Sequence, residues 1–368
     1  MIDNTYITEE KLQVIRSLRQ TLHATPELSM QEHKTAEIIR QFLKTHTSCE
    51  IIDHGAWFYA LRRAKDHLPT IAFRADIDAI PDAKTGIPFH GCGHDGHAAA
   101  VAGLAYLTEG MPVNKNIVFL FQPGEETGEG AALCSAVIEE QHIDIIYGCH
   151  SIPGFPRGTI LWRGDVFACA SRGMILHVTG TQCHAAYPET GKNPAFAVSH
   201  IVSSLCDCLD MQKNGYRGMV LATVVGINVG AKAFGVSAGD GELYLTVRAH
   251  YDTDLEALIG RIRQEAELAC ERDGIALDIS FLDVFPDTVN DAEAADAFRS
   301  VLCEKQIPWM PLAEPMRWSE DFGWYCKKTK GVFFGIGAGE DCPALHTESF
   351  CYQDALLPRV EEVFLSLC

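Results

Sequence analysis

Apolar residues recur at three- and four-residue intervals between positions 8 and 23, which predicts an amphipathic helix. Thr8 stands at its start as a candidate N-cap, and the segment after His23 contains a proline that ends the helix. A second helix is predicted over 33–45. The apolar face of the first helix consists of Leu12, Ile15, Leu18 and Leu22. The chain therefore begins with two helices before its first strand.

A short strand is predicted at 70–75, and the continuous apolar part of 116–121 is typical of a strand that is buried on both faces. Between them, a nearly uninterrupted apolar segment predicts a buried helix that starts near His94. A helix over 131–140 and then a strand that ends at His150 continue the pattern. Strands that alternate with helices in this way predict an α/β domain with a mostly parallel sheet.

The pattern changes after about residue 171, where strands alternate more loosely, as in a sheet with one open face. The order strand-helix-strand-strand-helix-strand is that of a ferredoxin-like α+β unit. We therefore predict an inserted domain over 171–282, with the first domain formed by 1–170 and 283–368. The predicted elements of the inserted domain are 173–180, 193–211, 218–229, 241–250, 253–271 and 275–281.

A length of 368 residues suits two domains, and 47% hydrophobic with 21% charged residues is ordinary for a soluble globular protein. The net charge of −19 disfavours nucleic acids and anionic membranes as partners. The first residues lack the basic and apolar segments of a signal peptide, and no apolar stretch is long enough to span a bilayer. We therefore expect neither a nucleic-acid nor a membrane partner.

Fourteen cysteines are scattered along the chain, and none of them forms a CxxC pair. In a large chain this distribution favours free, buried thiols over a disulfide framework. A reducing compartment would keep such thiols intact, so we expect a cytoplasmic protein.

The segment Gly91–His97 concentrates one thiol, two imidazoles and one carboxylate among three glycines. Thiolate and imidazole are ligands that borderline divalent cations prefer, and a loop that enters a helix is a common place for function. A glycine-rich turn with chance polar residues is the alternative interpretation. His97 would lie one helical turn beyond His94, and we expect it to pack or cap the helix.

Further polar residues follow the predicted strands, so distant segments could meet at the carboxyl edge of the sheet. Together they could hold two divalent cations, which at about 3.5–4 Å apart activate a water and polarise a carbonyl. Neighbouring Glu125 and Glu126 should not both point to one spot, so one could bind metal while the other moves a proton. They could instead form an acidic helix N-terminus. The candidates are Asp78, Cys92, His94, Glu125, Glu126, His150 and His346.

Four motifs occur in this order along the chain: Arg74–Pro81, Cys92–His97, Phe121–Glu126 and Gly180–Ala186. Together they resemble the amidohydrolase branch of the metallopeptidase superfamily that includes aminoacylase and glutamate carboxypeptidase. That branch includes hippurate hydrolases, auxin-conjugate hydrolases and N-acetyl-diaminopimelate deacetylases. The resemblance covers nearly the whole chain, from the His23 segment to His346.

The resemblance implies a catalytic first domain, an inserted lid or dimerisation domain, and two divalent metal ions, Mn²⁺ or Zn²⁺. Glu125 matches the general acid/base, and Asp78 matches the carboxylate that orients a ligand imidazole. His184 matches a substrate-binding histidine that steadies the oxyanion, supplied in dimeric relatives by the partner subunit. A homodimer is therefore expected. The implied metal ligands are Cys92, His94, Glu126, His150 and His346, with Cys92 as the bridge.

These residues predict metal-dependent hydrolysis of the amide bond of N-acyl amino acids, which are small-molecule substrates. The alternative enzyme is a metallo-dipeptidase or carboxypeptidase of the same superfamily, which would share the metal site. A non-enzymatic protein that keeps the fold for dimerisation or metal buffering should lack a ligand or the base. The sequence lacks neither.

Overall fold

A computed structural model describes residues 6–65 and 67–368 of the chain. The first five residues, on which the N-terminal prediction rests, lie outside this part. The helices are α1 Glu9–His23, α2 His33–His46, α3 His94–Thr108, α4 Gly130–Cys134, α5 Ala136–Glu140, α6 Pro194–Cys208, α7 Met211–Asn214, α8 Asp252–Asp273, α9 Ala292–Glu304, α10 Gly323–Cys326 and α11 Leu357–Leu367. The strands are β1 Glu50–Asp53, β2 Phe58–Arg62, β3 Thr70–Asp76, β4 Ile80–Pro81, β5 Pro88–Phe89, β6 Asn116–Gln122, β7 Ile143–Pro153, β8 Ile160–Trp162, β9 Val166–Ala168, β10 Ala170–Thr179, β11 Val220–Val229, β12 Asp240–Ala249, β13 Ala276–Phe285, β14 Thr288–Val289, β15 Trp309–Pro311 and β16 Lys330–Gly339.

Two compact units make up the fold. The first consists of 1–167, 288–315 and 321–368, and the second of 168–287 and 316–320. Each unit has a hydrophobic core of its own. In the described part of the chain, none of the helices has the length and apolar character that crossing a bilayer requires.

An eight-stranded sheet with the order β1-β2-β6-β3-β7-β16-β8-β15 forms the centre of the first unit. Its central strands β6, β3, β7 and β16 pair in parallel, and every residue of β3 and β6 is buried. The apolar run within β6 is the expected signal of a strand buried on both faces. Strand β3 is equally buried, although it also contains Arg74 and Asp76, which form an ion pair at 2.7 Å. Helix α3 is buried almost completely against this sheet. The predicted α/β class is thus confirmed.

The second unit is an antiparallel sheet with the order β11-β12-β10-β13, covered by α6 and α8. This strand order and helix placement confirm the predicted ferredoxin-like α+β unit. Its core-facing residues alternate along β12, as the sequence pattern required. Strand β11 lies at one edge of the sheet.

Capping side chains fix two of the predicted helix starts. Thr8 accepts a hydrogen bond from the backbone N–H of Lys11 at 3.2 Å, and Asn193 accepts one from Ala195 at 3.0 Å. Each satisfies a backbone donor that the first turn of a helix leaves without a partner.

Two sequence predictions were wrong in detail. The single helix expected over 131–140 is divided at Ser135, whose hydroxyl donates to the carbonyl of Ala132 at 2.8 Å. Strand β7 does not end at His150 but continues to Pro153, so His150 lies within the strand. The partner position of His150 on β16 is Gly335, where a Cβ would come within 2.5 Å of Ile152. A larger residue there would obstruct the extended pairing.

Candidate metal centre

The carboxyl ends of β3 and β6 and the start of α3 bring the predicted polar segments of the first unit together. Asp78 follows β3, the loop 123–130 follows β6, and His94 is the first residue of α3. Gly93, with φ of 95°, turns the chain into α3 and directs the two residues beside it inward. The gathering of ligands at this edge agrees with the general behaviour of open α/β sheets.

Cys92 lies at the centre of the candidate ligands. Its Sγ is 3.3 Å from Nε2 of His150 and 3.4 Å from Nε2 of His346. The same nitrogen of His346 is 3.4 Å from Oε1 of Glu126. Two groups of three residues include Cys92, and within each group the possible ligand atoms all lie within 4.8 Å of one another. They are Cys92 with His94 and His150, and Cys92 with Glu126 and His346.

Hydrogen bonds fix which nitrogen of each buried imidazole faces the centre. Nδ1 of His94 is 2.9 Å from Oδ1 of Asp78, and Nδ1 of His150 is 2.8 Å from the carbonyl oxygen of Ser151. Both partners are acceptors, so Nδ1 carries a proton and Nε2 is the nitrogen through which each imidazole can bind a cation. Nε2 of His94 and Oε1 of Glu126 are buried without a hydrogen-bond partner in the described part of the chain. Such a set of soft and hard donors fits divalent cations.

The electrostatics of the centre also favour a cation. Burial lowers the pKa of His94, but the carboxylates of Asp76 and Asp78 outweigh this and raise it to about 10. Burial holds the pKa of His150 well below its usual value, which keeps it neutral. Burial and the neighbouring glutamates raise the pKa of Cys92 well above 9. A bound cation would stabilise the thiolate and so oppose this rise in the pKa of Cys92.

Glu125 and Glu126 both approach the same atom, contrary to the expectation that neighbouring carboxylates diverge. Glu125 Oε2 lies 3.9 Å, and Glu126 Oε1 3.8 Å, from Nε2 of His94. Left-handed backbone at Gly124 and Gly128 curls the loop so that both side chains turn inward. Because α4 begins only at Gly130, neither glutamate lies in the first turn of a helix, which argues against the acidic N-terminus interpretation.

Asp78 is fully buried and joins His94 to the glutamate loop. While Oδ1 contacts His94, Oδ2 accepts a hydrogen bond from the hydroxyl of Ser29 at 2.7 Å and from the backbone N–H of Glu126 at 3.0 Å. One carboxylate therefore contacts the imidazole of one candidate ligand and the backbone of another, and its role in orienting a metal ligand remains a prediction.

His184 belongs to the second unit. It forms an isolated bridge with Val236, and its Nδ1 accepts a hydrogen bond from the backbone N–H of Ala186 at 3.0 Å. Its contact with substrate remains a prediction.

Sequence reasoning missed a buried polar network beneath the candidate ligands. His97 packs against the rings of His150 and Tyr352, with ring centroids 4.6 and 6.0 Å apart, so the expected packing is present. It also makes polar contacts that were not expected: its Nδ1 lies 2.7 Å from Asp76, and its Nε2 accepts the N–H of Ser151 at 3.2 Å. Asp321 accepts from Arg74 at 2.7 Å and from the backbone N–H of Ala131 at 2.8 Å. The available signal was weak, since these charged residues stand in otherwise apolar segments and their partners are remote in sequence.

The sequence matches the profile of Peptidase family M20/M25/M40 over residues 72–368. The chain belongs to this family. It is thus an amide-hydrolysing enzyme, as the sequence predicted.

Curated relatives and solved structures agree with this membership. N-acetyldiaminopimelate deacetylase of Exiguobacterium sibiricum is 29% identical over 358 residues, covering 93% of this chain and 95% of the relative. The deacetylase of the same name from Bacillus subtilis is 27% identical, covering 90% and 91%. A dinuclear metal-binding M20 peptidase from Bacillus subtilis shares the fold with a TM-score of 0.81 and 24% identity, covering 98% of each chain.

Proposed function

We propose that this enzyme hydrolyses the amide bond of N-acyl amino acids with the aid of two divalent cations, Mn²⁺ or Zn²⁺. The observation that carries the proposal is the position of Cys92, whose thiol belongs to both candidate ligand groups, with Glu125 beside them. His94 and His150 would complete one site, and Glu126 and His346 the other. Imidazole and thiolate suit zinc, whereas carboxylate also suits manganese.

When bound, the two cations would activate a water and polarise the amide carbonyl. Glu125 holds the proton that the water loses and returns it to the leaving nitrogen, so that the products are a carboxylic acid and a free amine. Glu125 is only 6% exposed and lies beside the candidate ligands, a position from which its carboxylate can take up and return a proton. Asp78 keeps His94 and the backbone of Glu126 in place during the reaction.

Substrate would enter a cleft of about 790 Å³ whose lining includes Glu126 and His346. Apolar side chains form part of the lining, and charges of both signs are contributed by Asp82, Lys84 and Glu348. Such a surface suits a small molecule that combines an acyl chain with charged groups. The relatives named N-acetyldiaminopimelate deacetylase also support an N-acyl amino acid.

A homodimer would supply His184 from the partner subunit, and we propose that the second unit forms its interface. Strand β11 is an edge strand, and Val225 and Ile227 on it are 65% and 50% exposed. Edge strands that carry apolar side chains readily pair with another strand, and a second copy of the chain offers an identical one.

The enzyme would act in the cytoplasm. In the described part of the chain, none of the fourteen cysteines forms a disulfide, and such thiols, the candidate ligand Cys92 among them, persist in reducing compartments.

A substrate panel tests the proposal. The panel contains N-acetyl and N-benzoyl amino acids together with dipeptides, and each is assayed after chelation and after addition of Mn²⁺ or Zn²⁺. We expect hydrolysis of N-acyl amino acids that depends on the cation and falls by about 100-fold or more in E125A, with cation binding retained. Equal rates for wild type and E125A on every substrate would contradict the proposal. Faster cleavage of dipeptides would favour the peptidase alternative.

A further inference from the structure

The segment between α1 and α2 contacts both polar elements that follow the central strands. The carbonyl of Glu27 accepts the N–H of Ala79 at 2.8 Å, and Leu28 forms a bridge with Ala79. The hydroxyl of Ser29 donates to Asp78. This segment, residues 27–32, therefore lies directly against the chain that carries Asp78. We refer to it below as the 27–32 segment.

Glu32 ends the 27–32 segment, and its carboxylate turns towards the loop that carries Glu125. Oε1 accepts a hydrogen bond from the backbone N–H of Gly124 at 2.8 Å and from that of Met30 at 2.9 Å. The residue is only 5% exposed. Hydrogen bonds from an N–H to a carboxylate are stronger than neutral ones, especially away from water.

Both donors have left-handed backbone, with φ of 63° at Met30 and 60° at Gly124. The two residues also pack tightly against each other, since a Cβ on Gly124 would lie 2.7 Å from the sulfur of Met30. Left-handed backbone is costly for a residue such as methionine, so it persists only where surrounding contacts maintain it. Oε1 of Glu32, which accepts a hydrogen bond from both residues, is one such contact.

A purely local role as a helix cap does not explain Glu32. It occupies the N-cap position of α2, yet its side chain makes no capping hydrogen bond. The N–H of Thr35, in the first turn, is instead bound by the carboxylate of Glu27 at 2.8 Å. The side chain of Glu32 is thus committed to Gly124 rather than to its own helix.

We propose that Glu32 is a positioning residue for Glu125, and that it acts through the backbone of Gly124. Glu32 holds the N–H of Gly124, while the carbonyl of Gly124 accepts the N–H of Gly130 at 3.1 Å. Because the N–H and the carbonyl of Gly124 are both held, the backbone leading to Glu125 has one fixed direction. The carboxylate of Glu125 is thereby placed beside His94. The inference rests on the proposed function, in which Glu125 moves the proton.

Retention of a buried charge supports this assignment. Burial and the nearby carboxylate of Asp78 raise the pKa of Glu32 to about 7, so its ionised form is costly to the fold. An apolar or amide side chain would avoid that cost. The presence of a carboxylate here despite that cost is consistent with a role in holding the backbone N–H of Gly124.

The test compares E32A with the matched variant E27A, measuring kcat, KM and cation stoichiometry. Both substitutions remove a carboxylate that accepts a backbone N–H, but E27A affects α2 and E32A affects the loop. We expect kcat to fall about 10- to 100-fold in E32A, with KM changed less than about threefold and the cations retained, because a misplaced base slows the chemical step. E27A should stay within about twofold of wild type, and E32Q, which keeps an acceptor oxygen, should recover most of the kcat.

Hydrogen exchange gives a readout that does not depend on activity. Amide exchange in a peptide spanning 122–130 should quicken in E32A and not in E27A, whereas a peptide from α2 should respond to E27A. Unchanged exchange over 122–130 in E32A, or equal losses of kcat in E32A and E27A, would overturn the inference. If E125A matches wild type, the proposed function fails instead. If E125A is inactive and E32A is fully active, only the role of Glu32 fails.

Discussion

His97 and His150 are joined through the backbone of one residue, Ser151. Ser151 donates its N–H to Nε2 of His97 at 3.2 Å, and its carbonyl accepts Nδ1–H of His150 at 2.8 Å. His97 is in turn held by Asp76. His97, on α3, thus helps to orient the candidate ligand His150 on β7. It contributes no donor atom of its own to either candidate group that contains Cys92.

Replacing His97 should weaken cation binding. In H97A the backbone N–H of Ser151 loses its acceptor and Asp76 loses a buried partner, so His150 is oriented less firmly. We expect the affinity for Zn²⁺ to fall about 10- to 100-fold, as for other residues that orient ligands. Competition with a chromophoric chelator measures this. The control is H54A, whose imidazole stacks on Trp57 far along the sequence from the candidate ligands. Equal affinities for H97A and H54A would contradict the prediction.

Cation stoichiometry should separate the shared ligand from the others. C92A removes a donor from both candidate groups, whereas H150A and H346A each remove one donor from one group. We therefore expect C92A to lose both cations under conditions in which H150A and H346A each retain about one. Elemental analysis after dialysis against a weak chelator gives the count. A C92A protein that keeps two cations would exclude the thiol as a bridge.

Gly96 should tolerate no side chain. A Cβ at this position would lie 2.2 Å from the ring of Tyr352, inside a fully buried part of α3. We expect G96A to lower the free energy of unfolding by about 1–3 kcal/mol, because overpacking forces neighbouring groups to move. A Cβ on Gly260, in α8, would instead meet open space among the described residues, so G260A should be neutral or stabilising by up to about 1 kcal/mol. Urea unfolding of both variants measures the difference.

The stability of the protein should depend on pH through Glu32. Burial and Asp78 raise its pKa from 4.5 to about 7, so its stabilising contribution is complete below pH 4.5 and is lost as pH rises through about 7. E32Q cannot ionise and should keep its stability. Relative to wild type, E32Q should therefore gain up to about 3 kcal/mol between pH 5 and pH 8. Urea unfolding of chelated samples at both pH values tests this, and a constant difference would contradict it.

Local sequence signals were sufficient for most elements of the fold. The caps Thr8 and Asn193 and the buried strands β3 and β6 could be recognised from neighbouring residues alone, and the structure contains them as predicted. The segments that carry the candidate ligands could likewise be found, because thiols and imidazoles are rare in such spacing.

Long-range packing decided what the sequence could not. The extension of β7 past His150 depends on Gly335 of a strand formed nearly two hundred residues later, and no local pattern reveals that pairing. The inward turn of both glutamates depends on the conformation of Gly124, which a hydrogen bond to Glu32 helps to maintain. Likewise, nothing near Asp321 in sequence indicates that it binds Arg74, 247 positions away.

The distance along the chain between Cys92 and His346, 254 positions, also bears on how the protein is made. A ribosome delivers Cys92 and His94 early, then the whole second unit, and only afterwards β16 and His346. One donor group could assemble on a nascent chain, but the other must wait for nearly complete synthesis. Loading of the second cation would therefore be a late event in maturation, and a prematurely terminated chain would be released without a complete centre.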